Sequence, residues 1–420
     1  MDFSYAALRR FPDVEAPNLQ AWDATDELLV RAALAAGLPG EEIAVIGDEY
    51  GAITLALTDA GMRGIRVHQD LATGRRALAR NAEALGLGRT SRVSHDAGEE
   101  RRIDEHRADT GAERLGVGTD GPAFVECELG PALLTGARLV LLQLPKSLAE
   151  LEEIADAVAR WAAPGVTVIA GGRVKHMTLT QNEVLGRSFE TVQPQRAERK
   201  SRLIVASGVR DAPAQPPYPV SASLSVPGLD WPLAIVAHGG AFAGAKLDIG
   251  TRVLLEVLGR PPLRPLSLSK RQGSDSPRPI SVVDLGCGTG ILAATYALTH
   301  PGARVIATDR SAAAVASARA TFAANGIDAE VTHDDAGSEI PGQVADLILL
   351  NPPFHLGASI HAGAATKLFE AAARILKPGG ELLTVYNSHL GYKPELSKLV
   401  GPTEQLHRTP KFTVTRSIRR

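Results

Sequence analysis

The sequence predicts an α/β fold made twice over: two tandem doubly wound units, each a mostly parallel seven-stranded sheet finished by an antiparallel hairpin. Three observations carry this. One segment of the chain repeats in a constant register, short β-branched runs alternate with longer Ala-rich helical patterns, and 420 residues are more than one core usually holds.

The repeat sets IAVIGDEYGAITLAL (43–57) beside SVVDLGCGTGILAATYAL (281–298), with Gly47 on Gly286 and Gly51 on Gly290. Without a gap, the same register brings RVHQD (66–70) onto VIATD (305–309), so Asp70 falls on Asp309. Further on, LVLLQLPK (139–146) parallels LILLNPPF (347–354), and WAAPGVTVIAG (161–171) parallels ILKPGGELLTV (375–385). In the second copy the patterning places strands near 280–285, 304–308, 329–332, 345–350 and 380–386, then a hairpin near 404–408 and 411–418. Helices are expected near 290–300, 312–324 and 362–376. The division is residues 1–212, a Pro-containing linker over 213–235, and residues 236–420. Two stretches fit neither copy, a charged insertion at 95–121 and a Pro/Ser-rich irregular segment at 259–279.

An apolar fraction of 44% and a charged fraction of 22% are those of an ordinary globular chain. No apolar run is long enough to span a bilayer and the N-terminus does not read as a secretion signal, so the cytoplasm is the expected compartment. Two distant cysteines, Cys127 and Cys287, offer neither a disulfide framework nor metal-ligand spacing, and no metal is expected. A net charge of −2 gives no global case for nucleic-acid binding, which a local basic face would still allow.

The strongest local pattern is VVDLGCGTG, 282–290. An apolar strand runs into Asp284, and glycines at 286, 288 and 290 let the backbone approach a ligand at a helix N-terminus. The spacing G-x-G-x-G differs from the G-x-G-x-x-G of dinucleotide binders. Asp284 would repel a pyrophosphate, yet it can accept hydrogen bonds from the ammonium of an amino-acid ligand. The pattern resembles motif I of methyltransferases that use S-adenosylmethionine (SAM). Asp309, ending the next apolar run, is placed to take the two hydroxyls of a ribose, while Ser311 is the better helix cap. Asp334 and Asp335 follow the third strand in EVTHDD, where a methyltransferase of this pattern places a group that meets the adenine amine, and Asp334 is the favoured of the two.

NPPFH, 351–355, follows the apolar strand DLILL. Two prolines fix φ and remove two donors, leaving carbonyls to face the site. The Asn351 amide and the Pro352 carbonyl can accept both N–H bonds of a planar amine and turn its lone pair toward a methyl sulfonium, so Asn351 borders both ligands. Phe354 would stack on an extruded base, with Pro353 and His355 beside it. Cys287 reads as a small apolar filler.

With KLDIGTRVLLE (246–256), DLGCGTG, NPPFH, LKPGGEL (376–382), NSHLGYKPEL (387–396) and the duplication, nearly the whole chain resembles the RsmC/RlmG-type ribosomal RNA guanine-N2 methyltransferases. The resemblance implies two Rossmann-like methyltransferase domains, the first degenerate and the second catalytic. It implies SAM contacts from Gly286, Gly288, Gly290 and Asp309, and amine contacts from Asn351 and Pro352. The loop AFAGAKLDIGT (241–251) would help cover the cofactor, with Phe242 and Lys246 near the substrate. The partner implied is ribosomal RNA, or a ribosomal subunit or assembly intermediate. Adenine N6, a protein glutamine, or a non-catalytic role in RNA binding are the alternatives. The first copy has Val45 for Asp284, Glu49 for Gly288 and Gln143 for Asn351, which predicts poor SAM binding. Its basic end, with Arg173, Lys175, Arg199 and Lys200, is expected to hold RNA phosphates.

Overall fold

A computed structural model describes residues 3–88, 91–92, 122–259, 279–353 and 358–420. The two insertions read from the sequence lie almost entirely outside these residues.

The first half comprises α1 (Ala24–Ala36), β1 (Ile43–Ile46), α2 (Ala52–Asp59), β2 (Ile65–His68), α3 (Ala72–Ala84), β3 (Ser91–Arg92), β4 (Phe124–Glu126), α4 (Pro131–Leu134), β5 (Leu139–Gln143), α5 (Leu148–Trp161), β6 (Thr167–Arg173), α6 (Leu179–Ser188), β7 (Phe189–Pro194) and β8 (Ser201–Val209). Its sheet runs β3-β4-β2-β1-β5-β6-β8-β7, parallel except where β8 pairs with β6 and β7. The two-residue edge strand β3 makes eight where seven were expected.

The second half holds β9 (Val220–Leu224), β10 (Leu233–Ala237), α7 (Ile249–Leu258), β11 (Ser281–Leu285), α8 (Ile291–Thr299), β12 (Arg304–Asp309), α9 (Ala312–Ala324), β13 (Glu330–His333), β14 (Ala345–Leu350), α10 (Ala358–Ile375), β15 (Leu376–Asn387), α11 (Lys393–Leu399), β16 (Thr403–Arg408) and β17 (Phe412–Ile418). Its seven-stranded order, β13-β12-β11-β14-β15-β17-β16, repeats the first with one antiparallel hairpin at the end. In each half apolar strands lie buried between helical layers. Phe124 and Phe189 are fully enclosed in the first, Phe369 in the second.

Two sequence expectations need correction. The segment at 213–235 is not a plain linker, because β9 and β10 form a hairpin. Leu233 and Ile235 enter the core of the second half. The outer edge of β10 is satisfied by side chains of α9: the Ala234 and Val236 amides donate to Asn325 Oδ1 and Thr321 Oγ1, both at 3.1 Å. Residues 249–251, read as part of a covering loop, open helix α7, whose N-cap is Asp248.

The halves touch through matching parts. The Ala72 amide donates to the Arg310 carbonyl (2.8 Å) and the Ala312 amide to the Asp70 carbonyl (2.9 Å), a nearly two-fold exchange between the turns after β2 and β12. Asp70 Oδ1 also accepts the Ala313 amide at the start of α9 (2.9 Å). His238 Nδ1 lies 2.6 Å from Glu153 Oε1.

Candidate active site

The turn after β11 is built by backbone conformation. Gly286, Gly288 and Gly290 have φ of +80°, +55° and +79°, values that L side chains adopt at a cost. The three differ in surroundings. A Cβ on Gly286 or Gly288 would meet no atom within 4 Å, whereas one on Gly290 would come within 2.9 Å of Phe322 and 3.1 Å of Ala318. Gly290 therefore lets α8 seat against α9, and the first two glycines leave their space to a cavity of about 650 Å³. Thr308 holds the turn down: its carbonyl accepts the Gly286 amide at 2.8 Å and the Cys287 amide at 3.0 Å.

Asp309, at the tip of β12, lines this cavity. One carboxylate oxygen accepts the Gly288 amide (2.9 Å) and the other the Ser311 amide (2.9 Å). Burial pushes its carboxyl above the usual range against those two bonds. Ser311 caps α9 through the Ala314 amide at 3.2 Å, leaving Asp309 free of that task.

Asp284 is placed differently from the sequence expectation. It is wholly buried beneath the turn and is not part of the cavity wall. Its Oδ2 accepts the Ala293 amide (3.0 Å) in the first turn of α8, and its Oδ1 has no partner among the described residues. Desolvation raises this carboxyl to about 7. Asp284 thus ties the strand to the helix on either side of the glycines. Asp334 lines the cavity, yet both of its oxygens are committed. Oδ2 accepts the Glu339 amide (2.7 Å), and Oδ1 meets Ser338 Oγ and Arg76 Nη2 of the first half, both at 2.6 Å. Burial alone would raise it, but these three partners pull it below its ordinary value. The adenine-amine role expected for Asp334 competes with a bond from a residue 258 positions away, which no local pattern reveals.

At the end of β14, Asn351, Pro352 and Pro353 line the same cavity. The Asn351 amide donates to Asp248 Oδ2 (3.1 Å) and Thr251 Oγ1 (3.0 Å). Its Oδ1 is buried with no partner among the described residues. Pro352 is buried and Pro353 exposed. Phe354 and His355 lie outside the described residues. Phe242, about half exposed, and Lys246 both line the cavity. Cys287 is buried in the wall, and desolvation holds its thiol well above its usual value, as suits a filler.

Asp248 and Thr251 were read only as part of the covering loop, without a role of their own, and the first half's contribution was not legible. Asp13, Val14, Asp70 and Lys146 of the first half line the cavity beside Lys367 of α10. Lys367 pairs with Asp335 and donates to the Pro12 carbonyl at 3.3 Å. The D-x-x-T spacing at 248–251 is a capping signal that could have located Asp248.

In the first half, Gly47 and Gly51 keep positive φ, but a Cβ on Gly47 would meet Gln143 Cβ at 3.2 Å. Asp48 supplies the helix tie that Asp284 gives in the second half, accepting the Gly51 amide at 3.1 Å and the Thr54 amide at 2.7 Å. The basic end of this half is largely paired. Arg199 is bridged to Glu27, and Arg173 lies 3.7 Å from Asp23 while donating to Ser201 Oγ (3.2 Å). Lys175 and Lys200 are exposed and form no ion pair among the described residues. The Val174 amide donates to the Lys200 carbonyl at 3.0 Å, which sets the two segments side by side.

A duplicated Rossmann-like sheet, a glycine cradle closed by a strand-end carboxylate, and an Asn-Pro-Pro turn on the same cavity define a SAM-dependent methyltransferase. The family described as Methyltransferase small domain matches residues 232–416, and the RLMG N-terminal domain matches residues 1–103 and 121–210. Relatives called "Ribosomal RNA large subunit methyltransferase G" extend over the full chain. That of Streptomyces avermitilis is 34% identical, covering 99% of this chain and 97% of its own. That of Stutzerimonas stutzeri is also 34% identical, covering 100% and 99%. That of Shewanella amazonensis is 31% identical, covering 98% and 96%. A solved T. thermophilus 16S rRNA N2 methyltransferase (RsmC), in complex with AdoMet and guanosine, shares the fold at a TM-score of 0.69. It is 21% identical, with 97% of both chains covered. The chain belongs to the RlmG family of methyltransferases.

Proposed function

We propose that this protein transfers the methyl group of SAM to the exocyclic N2 amine of a guanine in ribosomal RNA. The observation that carries the reading is Asn351 on the wall of the cavity that the glycine turn leaves open, its amide nitrogen committed to Asp248 and Thr251 and its Oδ1 without a partner among the described residues. The relatives' names point to ribosomal RNA, and the T. thermophilus protein of like fold is named for guanine N2.

The residues present fit the cofactor. Gly286 and Gly288 leave room against the backbone, and the Asp309 carboxylate faces the cavity where a ribose edge would lie. When bound, SAM supplies an electrophilic methyl carbon on a sulfonium. An exocyclic amine is a poor nucleophile because its lone pair is drawn into the ring. Asn351 Oδ1 and the Pro352 carbonyl accept its two N–H bonds, which aims the lone pair and stabilises the positive charge growing on nitrogen. Lys146 and Lys246 set cationic groups at the same cavity for the RNA backbone. Lys175 and Lys200 hold phosphates farther from the reacting base, while Arg173 and Arg199, expected to join them, are engaged by Asp23 and Glu27. The cytoplasmic placement read from the sequence goes with that substrate.

Mass spectrometry of ribosomal RNA nucleosides, from cells with and without the protein, tests the reading. Loss of one N2-methylguanosine is expected. An unchanged N2-methylguanosine content with a different methylated nucleoside missing would overturn it.

A further inference from the structure

Resting on the amine-acceptor reading above, we infer that Asp248, with Thr251, is a positioning residue for methyl transfer. It holds the Asn351 amide so that its oxygen, and never its nitrogen, faces the incoming amine. Asn351 spends its Nδ2 on Asp248 Oδ2 (3.1 Å) and Thr251 Oγ1 (3.0 Å), one proton for each. Its Oδ1 stays buried beside Gly250 without a partner among the described residues, and all three residues line the cavity that an incoming amine would enter. Turning the amide over would set Oδ1 against the Asp248 carboxylate, two acceptors face to face, and would abandon both bonds. Asp248 cannot easily yield, because the same oxygen accepts the Thr251 amide (3.1 Å) as the N-cap of α7.

The consequence is selectivity by hydrogen-bond polarity. A fixed acceptor welcomes a group that donates N–H bonds and excludes a ring carbonyl, which would leave two acceptors unpaired against each other. The first half shows that such a tie alone does not make a site. Gln143 Nε2 is bonded to Asp26 in the first turn of α1, yet the Gly47 position beside it is crowded by Gln143 itself. A structural tie and a positioning role therefore need an experiment that separates them.

That experiment measures three quantities on the full chain. They are the single-turnover rate of methyl transfer to ribosomal RNA at saturating SAM, SAM affinity by calorimetry, and the melting temperature. Asp248→Ala is expected to slow transfer at least ~10-fold while SAM affinity stays within about threefold. Asp248→Asn keeps an oxygen that accepts from both Asn351 and Thr251 and is expected to restore most of the rate. Thr251→Val should slow transfer and Thr251→Ser restore it; this pair decides the matter if Asp248→Ala does not fold. Two outcomes overturn the inference. In one, Asp248→Asn is as slow as Asp248→Ala and binds SAM correspondingly weakly, making Asp248 a charged cofactor ligand. In the other, neither Asp248→Ala nor Thr251→Val affects the rate. Survival of full transfer in Asn351→Ala would instead remove the acceptor reading itself, a result distinguishable from either.

Discussion

Substituting alanine at Gly288 and at Gly290 separates the cradle from the scaffold. Both residues have positive φ, so each change carries the left-handed cost of about 1–2 kcal/mol. At Gly290 the new methyl also meets Phe322 at 2.9 Å and Ala318 at 3.1 Å, neighbours fixed in the core between α8 and α9. Overpacking of this kind adds about 1–3 kcal/mol, for a total of roughly 2–5 kcal/mol. At about 2–4 °C per kcal/mol for a domain of this size, the melting midpoint of Gly290→Ala should fall by roughly 4–20 °C. At Gly288 the methyl meets nothing within 4 Å, so stability should drop by the backbone cost alone. The same methyl occupies the space the cofactor needs. Calorimetric titration of the folded Gly288→Ala protein should therefore show SAM binding weakened at least ~10-fold, equal to ~1.4 kcal/mol. Scanning calorimetry supplies the other half of the comparison. Wild-type SAM affinity in Gly288→Ala, or equal melting temperatures for the two variants, would refute the division of labour.

Asn351→Ala should abolish transfer with SAM affinity within about threefold, while Asp309→Ala should weaken SAM by ~1.5–3 kcal/mol for a lost charge-assisted hydrogen bond. Calorimetry beside single-turnover rates distinguishes the two. Arg76→Ala removes a charged partner from the buried Asp334 and should cost ~1.5–3 kcal/mol at neutral pH. Because the folded Asp334 carboxyl lies below its ordinary value, its contribution is present above about pH 4 and is lost as pH falls through the lower folded value. The acid limb of the melting-temperature profile should therefore be shallower in Arg76→Ala than in wild type. Lys175→Glu combined with Lys200→Glu should weaken RNA binding and lower the slope of log affinity against log salt by about 2. An unchanged slope in filter binding would remove those lysines from the interface.

What the sequence disclosed was whatever rests on local pattern. The glycine turn, the strand ends at Asp309 and Asn351 and the hairpin at 403–418 were all readable, because each is set by spacing within a few residues. Ser311 was recognised as a cap for the same reason. What stayed hidden depends on partners far along the chain. Asp334 looked available because Arg76 is invisible from it in sequence, and Asp284 was read as an acceptor for a ligand ammonium because a strand end does not say which side of the turn it faces. The segment at 213–235 was read as linker from its prolines, and the polar side chains of α9 that close the outer edge of its hairpin have no periodic signature.

A wall built jointly by both halves has an evolutionary corollary. Asp13, Val14, Asp70 and Lys146 stand in the chamber of the second half, so a change in the first half reaches the site directly. A chimaera joining the first 212 residues of one relative to the remainder of another must match across the turns after β2 and β12, or it inherits a breached chamber.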